Sequence, residues 1–251
     1  MKEATIMNIL SRVDSIRQEL LDASKERWGR APEIIAVSKT VEPERGNEVR
    51  AAGILRLGEN RVQEIMAKLP YLDASFQIDL IGRLQNNKVK YIIDKVGMIQ
   101  ALDRMGLAQE IDRRAQQRGI RMPALIQVNI GSEPQKGGIE AEDLFSFARA
   151  VAALDGIEIR GLMAVMPDLE DEEELRPYFR RMRSLFDALR EEAIAGTRID
   201  ELSMGMSGDY LLAAQEGATH VRIGSAIFGS RCAPAMDMHN EEDKLEGDLH
   251  S

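Results

Sequence analysis

The feature that most constrains this chain is a rhythm. Eight short apolar or β-branched runs recur along it, separated by longer charged stretches with helical spacing. The runs are IIAVSK (34–39), ILRLGE (54–59), FQIDLIG (76–82), MIQALD (98–103), ALIQVNI (124–130), IRGLMAV (159–165), ELSMGM (201–206) and HVRIGSAIF (220–228). Helical patterns between them include 101–119, 142–156 and 172–193, and the first two stop at Gly119 and Gly156, as a glycine-terminated helix would. Strand-then-helix units repeated in this way bury a parallel sheet on both faces. Eight units, in a chain of 251 residues, are what one closed barrel requires. An open doubly wound sheet usually has fewer strands and no need of an eighth unit. The expectation is therefore an α/β fold, a single (β/α)8 barrel of the TIM type over residues 1–232. An extra helix precedes it at 3–28, where Ile6, Ile9, Leu10, Val13 and Ile16 follow helical spacing. Residues 233–251 lose this periodicity and are rich in acids, so they read as a disordered tail.

Several classes of function are disfavoured. A net charge of −9 opposes binding to a nucleic-acid backbone, although a local pocket can still hold one small phosphate. No run approaches the roughly 20 apolar residues of a membrane span. The first residues, MKEATIMNILSRVDSIRQEL, carry acids where a secretory signal carries an apolar core. The lone Cys232 cannot form an intramolecular disulfide, which fits a cytoplasmic protein. Cys232, His220, His239 and His250 lack ligand spacing, so no metal is expected. Few apolar clusters are legible for a surface, so the chain is expected to be a monomer.

In a parallel barrel, chemistry belongs to the rim at the strands' C-terminal ends. Lys39 closes the first run, where an amine held partly out of water can attack an aldehyde. Position alone favours a plainer reading, in which Lys39 reaches solvent or pairs with an acid such as Glu59. The last run alters the balance. Gly224 and Ser225 end it before a helical turn, near where barrels bind phosphate after strands seven and eight. Ser203 and Ser207 come from LSMGMSGD (202–209), with Gly205 and Gly208 keeping that loop open. Together they outline a phosphate cup, against the alternative that the glycines only relieve crowding. Arg222 lies two residues before Gly224 and so shares its inward side. Once buried it needs a partner, either a pyridine nitrogen or an acid such as Glu59.

The ordered set AVSKT (36–40), LGENRVQE (57–64), LIGRLQNNK (80–88), IQVNI with QKGG (126–138), RGLMAV (160–165), LSMGMSGD and VRIGSAIFG (221–229) resembles the pyridoxal phosphate homeostasis protein family. The resemblance spans roughly residues 30–231. It implies a lone barrel similar to the N-terminal domain of alanine racemase, carrying pyridoxal 5'-phosphate (PLP) without known turnover. Position by position, Lys39 matches the Schiff-base lysine, Ser207, Gly224 and Ser225 the phosphate-binding positions, and Arg222 the arginine by the pyridine nitrogen. Asn60 matches a polar residue at the cofactor's edge, and Lys136 a loop lysine near the mouth. The chain departs from the family pattern at Ile78, Asp79 and Leu80, where an aromatic and a His are usual. It departs again at Arg61, in place of Tyr, and at Gln100 and Ala101, in place of a His-Ser pair.

Three functions fit these residues. The first is a carrier that sequesters PLP and hands it to apo-enzymes. The second is a PLP-dependent amino-acid racemase, which needs a second proton-transfer group of the kind usually supplied by another domain. Tyr210 is the one tyrosine beside the strand-seven loop that could replace it. The third is a cofactor-free Schiff-base aldolase. The resemblance favours the carrier.

Overall fold

Each apolar run becomes a strand that pairs in parallel with the next. In the computed structural model, which describes residues 2–229, the strands are β1 (Glu33–Val37), β2 (Arg56–Glu59), β3 (Gln77–Leu80), β4 (Met98–Leu102), β5 (Met122–Gln127), β6 (Ile157–Met163), β7 (Glu201–Ser203) and β8 (His220–Ile223). They form a closed barrel in chain order, as the alternation predicts. β8 returns to β1, with Ile35 opposite Arg222 and Ala36 opposite Ile223. The helices are α1 (Lys2–Trp28), α2 (Pro43–Glu48), α3 (Val62–Lys68), α4 (Val89–Ile92), α5 (Met105–Arg118), α6 (Leu144–Ala152), α7 (Glu172–Glu191), α8 (Tyr210–Gln215) and α9 (Ser225–Phe228). The expected tail, 233–251, lies outside the described residues. No helix among the described residues is long and apolar enough to cross a membrane.

Two boundaries differ from the sequence reading. The last run ends as strand at Ile223, and Gly224 caps the short turn of α9. Gly119 does end α5, in the left-handed conformation at φ +65°. Gly156 does not end α6, which stops at Ala152. Its place is set by packing, since a Cβ there would lie 2.6 Å from the Asp112 carbonyl oxygen while its N–H donates to Asp112 Oδ1 at 2.7 Å.

The apolar residues divide into two layers. Alternate strand residues such as Ile34, Ala36, Leu57 and Ile99 pack outward under the helices in the main core. α1 joins that core through Ile9, Val13, Ile16 and Leu20, and is tied to the barrel by Arg12 donating to the Ile227 carbonyl and Trp28 Nε1 to that of Gln215. Inside the ring a smaller apolar cluster, Met98, Ala101, Leu125 and Met163, fills the side of β4 to β6. The opposite side of the interior is polar.

A register shift in β4, between Ile99 and Leu102, lets two consecutive residues face inward. Ala101 joins the apolar cluster, and Gln100 is fully buried with its amide bonded to Asp79 and Ser203. A strict period of two allows only one of them inside, and bulges re-aim side chains in this way.

Candidate functional site at the barrel mouth

On β1, Ile35 and Val37 face the interior, where both would touch a Cβ placed on Gly58. Lys39 is half-buried two residues past the end of β1, at the C-terminal mouth. Its neighbours are fastened from behind. The Ser38 hydroxyl donates to Glu59 Oε1 at 2.7 Å, and Lys68 Nζ donates to the Ser38 carbonyl at 2.7 Å and to Glu59 Oε1 at 2.8 Å. Thr40, in the left-handed region at φ +62°, donates its N–H to Glu64 Oε2. Glu59 is therefore engaged on the outer side of the strand, away from both Lys39 and Arg222. Burial pushes its carboxyl up from the ordinary value, with Lys68 opposing.

Across the β1/β8 pairing lies the loop expected to hold phosphate. Ser207 Oγ accepts from the Gly224 N–H at 3.2 Å and from the Ala226 N–H at 3.4 Å, so two backbone donors converge on one oxygen. Gly224 lies against the end of β1, where a Cβ would be 3.3 Å from the Val37 carbonyl oxygen. Ser225 is exposed beside it. Gly205, at φ +90°, would drive a Cβ to 2.5 Å from that of Ala213, whereas Gly208 faces open space. The β7 loop is thus drawn close against α8 at one glycine and left open at the other.

Ser203 does not join this loop. It is fully buried in the interior, where its Oγ accepts from Arg222 at 2.8 Å and donates to Gln100 Oε1 at 2.7 Å. The cup expected from the sequence included both serines of LSMGMSGD. Ser203 lies in the strand and Ser207 in the loop after it.

Arg222 sits beneath the mouth, with its second nitrogen donating to the Ala164 carbonyl at 2.7 Å. Burial pulls the guanidinium down to about 10, with Asp209 opposing.

Below Arg222 the polar half of the interior continues to the barrel floor. Gln100 Nε2 donates to Asp79 Oδ2 at 2.7 Å, and Gln77 donates to Asp79 Oδ1 at 2.9 Å. Arg56 donates to Asp79 Oδ2 at 2.6 Å and to Glu201 at 3.0 Å. His220 lies 2.7 Å from Arg56 and 3.2 Å from Glu33. Two of the family departures, Asp79 and Gln100, thus touch each other. Ile78 and Leu80 pack outward in the main core, and Arg61 is exposed at the start of α3.

The remaining candidates stand at the rim. Asn60 is half-buried at the end of β2, and Gly82 packs so closely on it that a Cβ would lie 2.3 Å from the Asn60 carbonyl oxygen. Lys136, in the loop after β5, donates to the Met166 carbonyl at 2.7 Å and pairs with Glu133 at 2.7 Å. Tyr210 turns away from the mouth, its hydroxyl donating to Glu19 on α1 at 2.5 Å. The Glu59–Lys68 pair was not legible as part of the site, although its spacing from GEN to the end of α3 was a usable signal.

Residues 13–232 match the family described as alanine racemase, N-terminal domain. The chain is 43% identical over 229 residues to the pyridoxal phosphate homeostasis protein of Aquifex aeolicus, covering 90% of this chain and 99% of that one. It is 36% identical to the protein of that name from Escherichia coli K12, over 85% of this chain and 93% of the other. Among solved structures it resembles PipY of Synechococcus elongatus with PLP bound, at TM-score 0.76 and 32% identity, covering 88% of this chain and all of that one. Alanine racemase of Clostridium difficile shares the fold alone, at TM-score 0.72 and 15% identity, with 57% of that chain covered.

Proposed function

The chain belongs to the pyridoxal phosphate homeostasis protein family, and from that premise we propose that it holds PLP covalently on Lys39 at the barrel mouth. In this reading it acts in the cytoplasm as a monomer, keeping the aldehyde sequestered and delivering it to apo forms of PLP-dependent enzymes without turning over a substrate.

The observation that carries this reading is the seating of three unlike groups on neighbouring strands. Lys39 follows β1, the convergent N–H groups of Gly224 and Ala226 follow β8, and buried Arg222 lies between them within β8. These residues fit the cofactor. Two backbone donors and the exposed Ser225 suit a phosphate, an amine suits an aldehyde, and a fixed cation suits a neutral ring nitrogen. When bound, PLP supplies an electrophilic aldehyde and a conjugated ring. Lys39 provides the amine that holds it, and the Ser38, Glu59 and Lys68 contacts fix the backbone from which that amine projects. Arg222 holds positive charge beneath the ring and so disfavours protonation of the pyridine nitrogen, weakening the ring as an electron sink. Such a site stores the cofactor better than it uses it. Racemisation finds no support in Tyr210, whose hydroxyl is committed to Glu19. Lys136, tied to Met166 and Glu133, would have to leave those partners to assist transfer.

The test is an absorption spectrum of the purified protein loaded with PLP, followed by borohydride reduction and peptide mass mapping. A visible band, with the reduced adduct on Lys39, is expected and should vanish in Lys39→Ala. Repeating the spectrum with an apo-enzyme present should transfer the colour. A colourless protein would favour the aldolase. Multiple turnovers of an amino acid that disappear in Lys39→Ala would overturn the carrier.

A further inference from the structure

The hydrogen bonds beneath Arg222 run in one direction. Arg222 donates to Ser203, Ser203 donates its only hydroxyl proton to Gln100 Oε1, and Gln100 donates from Nε2 to Asp79 Oδ2. An arginine can only donate and a carboxylate can only accept, so the two ends of this chain dictate the order between them. Asp79 fixes which way the Gln100 amide faces. That amide presents its oxygen to Ser203, and the serine proton is drawn down, leaving the hydroxyl oxygen turned up to Arg222. We propose that Asp79 is a positioning residue for Arg222, acting through Gln100 and Ser203 as its remote anion. In doing so it sets the charge environment of the cofactor ring.

Three observations support this. Arg222 is buried with a serine and a carbonyl as its bonded partners, so its charge needs an anion further off; Asp209 is the carboxylate opposing its burial from the loop side. Asp79 is completely buried, which pushes its carboxyl up, and the donors that oppose this are Arg56, Gln77 and Gln100 together, an arrangement built around an accepting carboxylate. Arg56 does not need Asp79 for itself alone, because Glu201 also receives it at 3.0 Å. The charged or titratable groups facing the relay are thus Arg56, Glu201, His220 and Glu33 from below and Asp209 from above. Two of the departures from the family pattern, Asp79 and Gln100, form one link of the chain and act as a unit.

The proposal rests on PLP binding at the mouth, and two arms separate its failure from the failure of that reading. In the first, cofactor-free protein is unfolded in urea as a double-mutant cycle between Asp79→Asn and Arg222→Gln, with Ser203→Ala crossed against Arg222→Gln as a second cycle that leaves the Arg56–Asp79 pair intact. Coupling of at least about threefold in the unfolding constant is expected in both cycles. Additive effects in both would overturn the relay whatever the protein binds. In the second arm, the loaded protein's visible band is titrated with pH. Losing the Asp79 negative charge makes protonation of the bound cofactor harder, so Asp79→Asn should lower the midpoint by about half a unit, a threefold change in proton affinity. That shift should vanish in an Arg222→Gln background. A shift that persists there would mean that Asp79 acts through space rather than through Arg222, and would overturn the proposal. Coupling in both cycles, with wild-type protein that never loads PLP, would retain the relay as a structural device while sinking its role toward the cofactor.

Discussion

Lys68 Nζ donates at 2.8 Å to Glu59 Oε1, and the same ammonium donates to the Ser38 carbonyl, one residue before Lys39. Both groups are buried, so the pair is stabilising only while intact. Lys68→Ala should cost about 3–5 kcal/mol by leaving the buried carboxylate without its counter-charge and with only the Ser38 hydroxyl, while replacing both residues with apolar side chains of similar volume should recover most of that loss. Urea unfolding measures the difference. The single variant should also release PLP faster, because the backbone that carries Lys39 loses its rear support.

Ser207→Ala combined with Ser225→Ala should weaken PLP binding by roughly ten- to a hundredfold, the worth of about 1.5–3 kcal/mol for hydrogen bonds to a charged group. Unphosphorylated pyridoxal should bind the variant and the wild type alike. Fluorescence titration with both compounds decides it, and equal losses would discredit the phosphate loop.

Tyr210 offers a titration outside the mouth. Burial and then the Glu19 carboxylate push its hydroxyl up to about 12 from 10.0. Because the folded value lies above the unfolded one, the stabilisation from the neutral hydroxyl is fully present below pH 10 and fades as pH rises toward 12. Ultraviolet difference titration should find one tyrosine ionising last, and Tyr210→Phe should remove that step. PLP loading at neutral pH should not change, because the hydroxyl is turned to Glu19 and away from the mouth.

Gly82→Ala tests how the rim is held. Its Cβ would meet the Asn60 carbonyl oxygen at 2.3 Å and the Asn60 Cα at 2.8 Å, backbone atoms that cannot turn aside. A loss of about 1–3 kcal/mol is expected from such overpacking, read from the urea midpoint. A neutral outcome would mean that the β2 and β3 ends move apart freely.

Much of this was legible in the sequence. The strand count, ring closure and inward face of Arg222 follow from periodicity, since period two and repeated βα units act locally. The bulge in β4 was not legible, because a register shift depends on which partner lies alongside. For that reason Gln100 and Ala101 could be seen as departures but not as one polar and one apolar wall of the same interior. Ser203 was assigned to the wrong layer because the three residues between it and Ser207 cross the end of a strand, where alternation ceases to apply. Glu59 was the sequence's natural partner for Lys39 or Arg222, yet it faces the other side of the sheet and is taken by Lys68, one helix later. Pairings of that kind depend on packing between elements, which no single run contains.

The seam where β8 meets β1 has one more consequence. Ile35 and Arg222, opposite one another there, are separated by most of the chain, so the mouth on this side exists only after the first strand has waited for the last. A small molecule seated across that seam can bind only a finished ring. It therefore adds stability to the closed form by mass action, and a chain still being synthesised, or opened at this edge, lacks the two sides of the seam in register and so the assembled site. Occupancy would thus serve as a certificate that the barrel is whole.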